Sequence, residues 1–94
     1  MKYEKISGKN KKHHVKIFTL STCGWCRKTK DFLKSLDVEY EYIDVDLLPS
    51  DEWQEVNNEV KKYNPLCTFP TIVIDEGKKV IVGFKDADIK GALR

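Results

Sequence analysis

The sequence predicts an α/β fold, a four-stranded mixed sheet flanked by three helices in the order β-α-β-α-β-β-α, preceded by a basic N-terminal extension. Three observations lead there. An apolar run over residues 15–20 is followed at once by apolar positions at helical spacing. The same strand-then-helix pattern recurs between residues 39 and 63. Two β-branched runs, residues 71–74 and 79–82, then sit on either side of a turn at Glu76-Gly77.

Residues 14–20 read as the first core strand, because Val15, Ile17 and Phe18 supply apolar positions and the Val and Ile content suits a pleated surface. From Trp25 onward Phe32, Leu33 and Leu36 recur with Thr29 on one stripe, while Arg27, Lys28, Lys30 and Lys34 fall outside it, which predicts a half-buried helix. Residues 39–45 alternate charge with bulk as a second strand, ended by Leu47-Leu48-Pro49. Ser50 is the expected N-cap of a second helix. Asp51 and Glu52 occupy its first turn, where acid is favoured, and Trp53, Val56, Val60 and Tyr63 mark its inner face. After the Asn64-Pro65 break comes the hairpin, closed by Gly83, and then a last short helix with Asp86 as expected cap and Ile89 and Leu93 turned inward. The first two core strands are joined by a right-handed crossover. Ahead of them, Tyr3 and Ile6 followed by Ser7-Gly8-Lys9-Asn10 allow a short strand and turn running back along the first core strand.

Ninety-four residues suffice for one core, divided here into an extension over residues 1–14 and a domain over residues 15–94. The net charge of +2 conceals an asymmetry. Lys2, Lys5, Lys9, Lys11 and Lys12 against Glu4 give the first twelve residues +4 and leave the rest at −2. That arm lacks interleaved aromatics beyond Tyr3, so it reads as a solvated tail and no nucleic-acid partner is expected. No stretch approaches the ~20 apolar residues that span a bilayer, and the N-terminus lacks the apolar centre of a signal peptide, so the expectation is a cytoplasmic protein with no membrane partner.

Cys23-Gly24-Trp25-Cys26 is the chemically loaded motif. At the start of a helix, positions i and i+3 share a face with Cβ atoms ~5–6 Å apart, within reach of a disulfide. The first turn also offers free N–H groups and the positive end of the helix dipole, which favour an anionic sulfur and make Cys23 the expected nucleophile. Cys26, one turn inside, is the expected resolving thiol, attacking a mixed disulfide on Cys23. A zinc site would need a second close ligand pair, which Cys67, His13 and His14 do not form, so no metal is expected. His13 and His14 read as surface residues and Cys67 as a small buried residue, with a regulatory disulfide as its alternative. Trp25 has two compatible readings, a surface aromatic packed on a loop or part of a rim that substrates cross. Lys28 reads as a solvated cation, and Arg27 remains open between that and a partner for the Cys23 sulfur or a substrate carboxylate.

A dithiol at the end of the first strand, the Thr68-Phe69-Pro70 turn before the third and Gly83 closing the fourth together resemble the glutaredoxin family of the thioredoxin-like fold, over roughly residues 16–93. The resemblance implies a cis bond before Pro70, with the Phe69 backbone offered to an extended substrate, and a thiol–disulfide oxidoreductase that reduces protein or low-molecular-weight disulfides. It further implies a substrate-binding set of Trp25, Thr68, Phe69, Pro70, Gly83, Phe84 and Asp86. No bound cofactor is required, and the protein is expected as a monomer. Family members hold glutathione with a lysine near the first strand and a Gly-Gly-x-Asp-Asp-like segment. Here Leu20 stands near the lysine position, Phe84 replaces the second glycine and Ala87 the second acid. Glutathione, another small thiol or a thioredoxin-reductase-type protein are therefore all candidate reductants. The alternative that the family supplies is an iron–sulfur carrier, with a cluster bridged by Cys23 from two subunits and external thiols.

Overall fold

The computed structural model describes residues 3–93, so Met1 and Lys2 of the predicted extension and Arg94 of the predicted domain lie outside the described residues. Its elements are β1 (Glu4–Ile6), β2 (Val15–Thr19), α1 (Gly24–Ser35), β3 (Tyr40–Asp44), α2 (Ser50–Tyr63), β4 (Thr71–Ile74), β5 (Lys79–Val82) and α3 (Asp86–Ala92), with short 3-10 turns at Val45–Leu47 and Asp75–Gly77. The sheet order is β1-β3-β2-β4-β5. β2 and β3 are parallel, as a crossover through α1 demands, and the other neighbours are antiparallel.

Central β2 is buried on both faces because helices cover both sides of the sheet. Val15 and Ile17 join Leu33 of α1 and Ile89 of α3 in one core, while Phe18 joins Val56 and Val60 of α2 in the other. The result is a three-layer α/β sandwich that places the C-terminal end of β2 beside the start of α1.

The mixed sheet has five strands rather than four, since residues 4–6 add an edge strand. Its partner is β3, not the first core strand, in the register Glu4↔Tyr42 to Ile6↔Tyr40. Gly8 explains the placement: a Cβ there would stand 2.5 Å from Val38 C and 2.6 Å from Glu39 N, so only glycine lets this segment lie against the α1–β3 connection. Asn10 then bonds both sides of that connection, its N–H donating to Asp37 O at 2.9 Å and its carbonyl accepting from Glu39 N–H at 3.0 Å.

Two expected caps are not caps. Ser50 is the first residue inside α2, with Pro49 as N-cap, and Asp86 is the first residue of α3 behind Lys85; neither cap position makes a side-chain bond. Trp53, expected on the inner face of α2, is 44% exposed, and burial there falls on Val56 and Val60. Among the described residues no helix is long and apolar enough to cross a membrane.

Candidate active site

Antiparallel register gathers the predicted residues at one end of the sheet. Phe18 pairs with Thr71, so the chain leaving β2 towards Cys23 runs beside the chain entering β4 from Phe69-Pro70. Thr71 also pairs with Val82, and just beyond that pair Gly83 N–H donates to Pro70 O at 2.9 Å. The Phe69–Pro70 peptide bond is cis. Gly83, with φ +84°, turns the chain out of β5 so that Phe84 comes back over α1.

Cys23 is the N-cap of α1, and its Sγ accepts the Cys26 N–H at 3.2 Å, as a side-chain cap does. It is partly exposed, whereas Cys26 is fully buried one turn on. Burial, and then a thiol hydrogen bond to Cys23, push the Cys26 thiol up to about 12, against smaller lowering effects from the Leu20 backbone and the Lys30 charge. Both thiols are free. An accessible sulfur that accepts one helix N–H and a buried one behind it whose ionisation is disfavoured form a dithiol with two unlike members.

Trp25, 59% exposed, stacks on Phe84 with centroids 6.0 Å apart and an interplanar angle of 26°. Phe84 meets Phe32 edge-on at 5.7 Å, which ties this aromatic pair to α1. Lys28, read from sequence as merely solvated, lies 4.7 Å over the Trp25 ring. Thr68 is exposed, Phe69 half-buried and Pro70 buried. Among the described residues neither the N–H nor the C=O of Phe69 has a hydrogen-bond partner. Asp86 is exposed, its carboxylate accepting the Ala87 N–H at 2.9 Å, and it contacts neither thiol.

Several supports escaped the sequence reading. Ser21 N–H donates to Asp46 Oδ1 at 2.8 Å, and its hydroxyl donates to the other oxygen, pinning the loop before Cys23 to the turn after β3. These bonds, the hydroxyl first, hold the Asp46 carboxyl below the usual carboxylate range. Buried Thr19 donates to Asp44 Oδ1 at 2.6 Å, and Lys30 Nζ lies 3.2 Å from the same oxygen. Asn64 is a third case. None carries a sequence signal, because each pair is joined only by sheet register or loop geometry.

Cys67 is half-buried at φ +52°, its Sγ donating to Asn57 Oδ1 at 2.7 Å, so it is neither solvent-facing nor fully enclosed. His13 and His14 sit at the opposite end of β2, partly exposed, at 2.7 Å from Asp75 and 3.1 Å from Glu41. A shallow pocket there, lined by Lys5, Lys12, His13, His14 and Glu41, contains none of the dithiol residues.

The sheet order, the dithiol at the tip of α1 and the cis-proline loop at the same end of the sheet define a thioredoxin-like domain. Its family is equally plain. The glutaredoxin family model matches residues 15–79, and the chain belongs to that family, whose members are in general thiol–disulfide oxidoreductases. It is similar to an uncharacterised glutaredoxin-like 8.6 kDa protein in the rubredoxin operon of Clostridium pasteurianum, 36% identical over 75 residues, or 80% of this chain and 91% of that one. Among solved structures, the glutaredoxin of Methanosarcina mazei Go1 superposes with a TM-score of 0.88 at 40% identity, covering 99% of this chain and 88% of the other. The methanoredoxin of Methanosarcina acetivorans gives 0.81 at 42% identity, over 85% and 83% of the two chains.

Proposed function

We propose that this protein reduces protein and low-molecular-weight disulfides by thiol–disulfide exchange, with Cys23 as nucleophile and Cys26 as resolving thiol. The carrying observation is the inequality of the two sulfurs: Cys23 is reachable and accepts a helix N–H, and Cys26 is enclosed and keeps its proton.

The Cys23 thiolate attacks one sulfur of the substrate disulfide, forming a mixed disulfide and expelling the first substrate thiolate. Cys26 then gives up its proton and attacks Cys23 Sγ, which closes the Cys23–Cys26 bridge and releases the second substrate thiolate. That departing thiolate, generated beside Cys26, is the natural proton acceptor. Two electrons have passed from the dithiol to the substrate. A small thiol such as glutathione, or a reductase protein, restores the dithiol, and no bound cofactor takes part.

The free N–H and C=O of Phe69 support main-chain recognition of an extended substrate beside Cys23, with Thr68 and Pro70 holding the loop. Trp25 and Phe84 form an apolar flank, and Gly83 and Asp86 frame the turn behind it. Phe84 stands where glutathione-binding relatives carry a glycine, which favours a thiol other than glutathione as the reductant.

Kinetics on single-cysteine variants test the reading. Cys23→Ser abolishes reduction of a protein disulfide, whereas Cys26→Ser traps the mixed disulfide with protein substrates and retains turnover of small mixed disulfides. Undiminished activity of Cys23→Ser overturns the assignment.

A further inference from the structure

Asn64 follows the last residue of α2, and only 3% of its surface is exposed. Its Nδ2 lies 3.0 Å from each of Thr68 O, Thr68 Oγ1 and Thr71 Oγ1, its two N–H groups shared among the three acceptors, while its Oδ1 accepts the Leu66 N–H at 3.2 Å. Its backbone carbonyl accepts the Cys67 N–H at 2.9 Å. Thr71 Oγ1 in turn donates to Thr68 O at 2.7 Å. A single amide therefore grips the chain on both sides of Phe69, from the end of a helix that is itself anchored in the core by Val56 and Val60.

That placement is chemically expensive unless it does something. A buried amide costs desolvation unless it is paired, and here both polar atoms of the side chain are satisfied within residues 66–71, the loop and the first residue of β4. The residue held between the gripped positions is Phe69, whose own backbone groups have no partner among the described residues.

We propose that Asn64 is a positioning residue that fixes the Phe69 backbone for an extended peptide and so biases the protein towards peptide-borne disulfides over small ones. The proposal rests on the oxidoreductase reading and adds a substrate preference to it. A disulfide flanked by peptide groups profits from a fixed N–H and C=O beside the nucleophile, and a displacement of about 1 Å is enough to cost orders of magnitude in such alignment. A disulfide with no peptide groups draws nothing from them.

The test compares Asn64→Asp, which keeps the shape and removes the donors, with the wild-type protein on two substrates, a disulfide-linked peptide and hydroxyethyl disulfide. The expected result is about a tenfold loss of kcat/KM on the peptide, carried by KM, with hydroxyethyl disulfide within twofold and the Cys23 alkylation rate unchanged. Thr71→Val removes the loop-side hydroxyl in a protein that keeps Asn64, and serves if Asn64→Asp does not fold. It should raise KM for the peptide in the same direction, and Thr71→Ser should restore it. Equal losses on both substrates, or an unchanged peptide KM in both Asn64→Asp and Thr71→Val, overturn the positioning role while wild-type turnover leaves the oxidoreductase reading standing. A wild-type protein inert towards both disulfides overturns that reading and the positioning role with it.

Discussion

Alkylation of the reduced protein should label Cys23 and spare Cys26 by a margin the structure allows one to work out. With its thiol pushed up to about 12, Cys26 is ionised at pH 7 in roughly one molecule in 100,000, about a thousandfold less than a thiol titrating near 9. A more basic thiolate is also a better nucleophile, with a Brønsted slope of ~0.4–0.5, which returns about 1.2 to 1.5 of those three decades. Ionisation alone thus leaves a deficit of roughly thirtyfold. Full burial adds to it, because an alkylating reagent has to reach the sulfur. Iodoacetamide pulses at pH 7, quenched and read by peptide mass spectrometry, should give a Cys23 to Cys26 ratio of at least about thirty in the native protein. In urea, where neither burial nor the helix end survives, the ratio should fall to near one. A native ratio below about five would refute the claim that the fold makes the two sulfurs unequal.

The same burial makes the reduced protein sensitive to alkali. A thiol that titrates near 9 when unfolded and about 12 when folded contributes stability that is whole below pH 9 and is lost as pH rises towards 12, so thermal unfolding of the reduced protein should fall over that window more steeply than that of Cys26→Ala. Gly8→Ala should free residues 4–10 from β3 and from the α1–β3 connection; losing the two Asn10 backbone bonds at about 1 kcal/mol each lowers Tm by roughly 10 °C, read by calorimetry. Phe84→Gly removes the partner stacked on Trp25, so in a Trp53→Phe background the Trp25 emission should shift to the red, at a stability cost of about 1 kcal/mol measured in urea. If Phe84 also excludes glutathione, that variant should show a lower KM for it.

What was legible in the sequence was whatever is decided within a few residues. The hairpin strands fall at Thr71–Ile74 and Lys79–Val82 as expected, because β-branched runs and a turn with Asp75, Glu76 and Gly77 all at positive φ are local facts. The dithiol falls at the mouth of α1 for the same reason: the end of an apolar strand and the onset of a helical stripe meet at Cys23. Ser50 and Asp86 each fall one position inside their helix because the preceding residue, Pro49 or Lys85, already takes the non-helical backbone of an N-cap. The partner of β1 was not legible, since it depends on a glycine fitting against a backbone some thirty residues away.

The unlegible part of the site has a common cause. Cys23, Phe69, Gly83 and Phe84 belong to three separate chain segments, and what unites them is that β2, β4 and β5 share one register, Phe18 to Thr71 to Val82. A one-residue slip in either pairing would move every strand side chain to the opposite face, so the buried sets on both faces enforce that register and thereby align the loops. The apolar core is therefore what brings the chain carrying Phe69 to the same end of the sheet as the dithiol, and the polar supports only refine the arrangement: Ser21 with Asp46 on the Cys23 side, Asn64 with Thr68 and Thr71 on the other. On the proposed reading, this division of labour is why the chemistry can be read from Cys-x-x-Cys while the substrate preference cannot. Reactivity would be set within one helical turn, and discrimination by contacts that exist only after the sheet has closed.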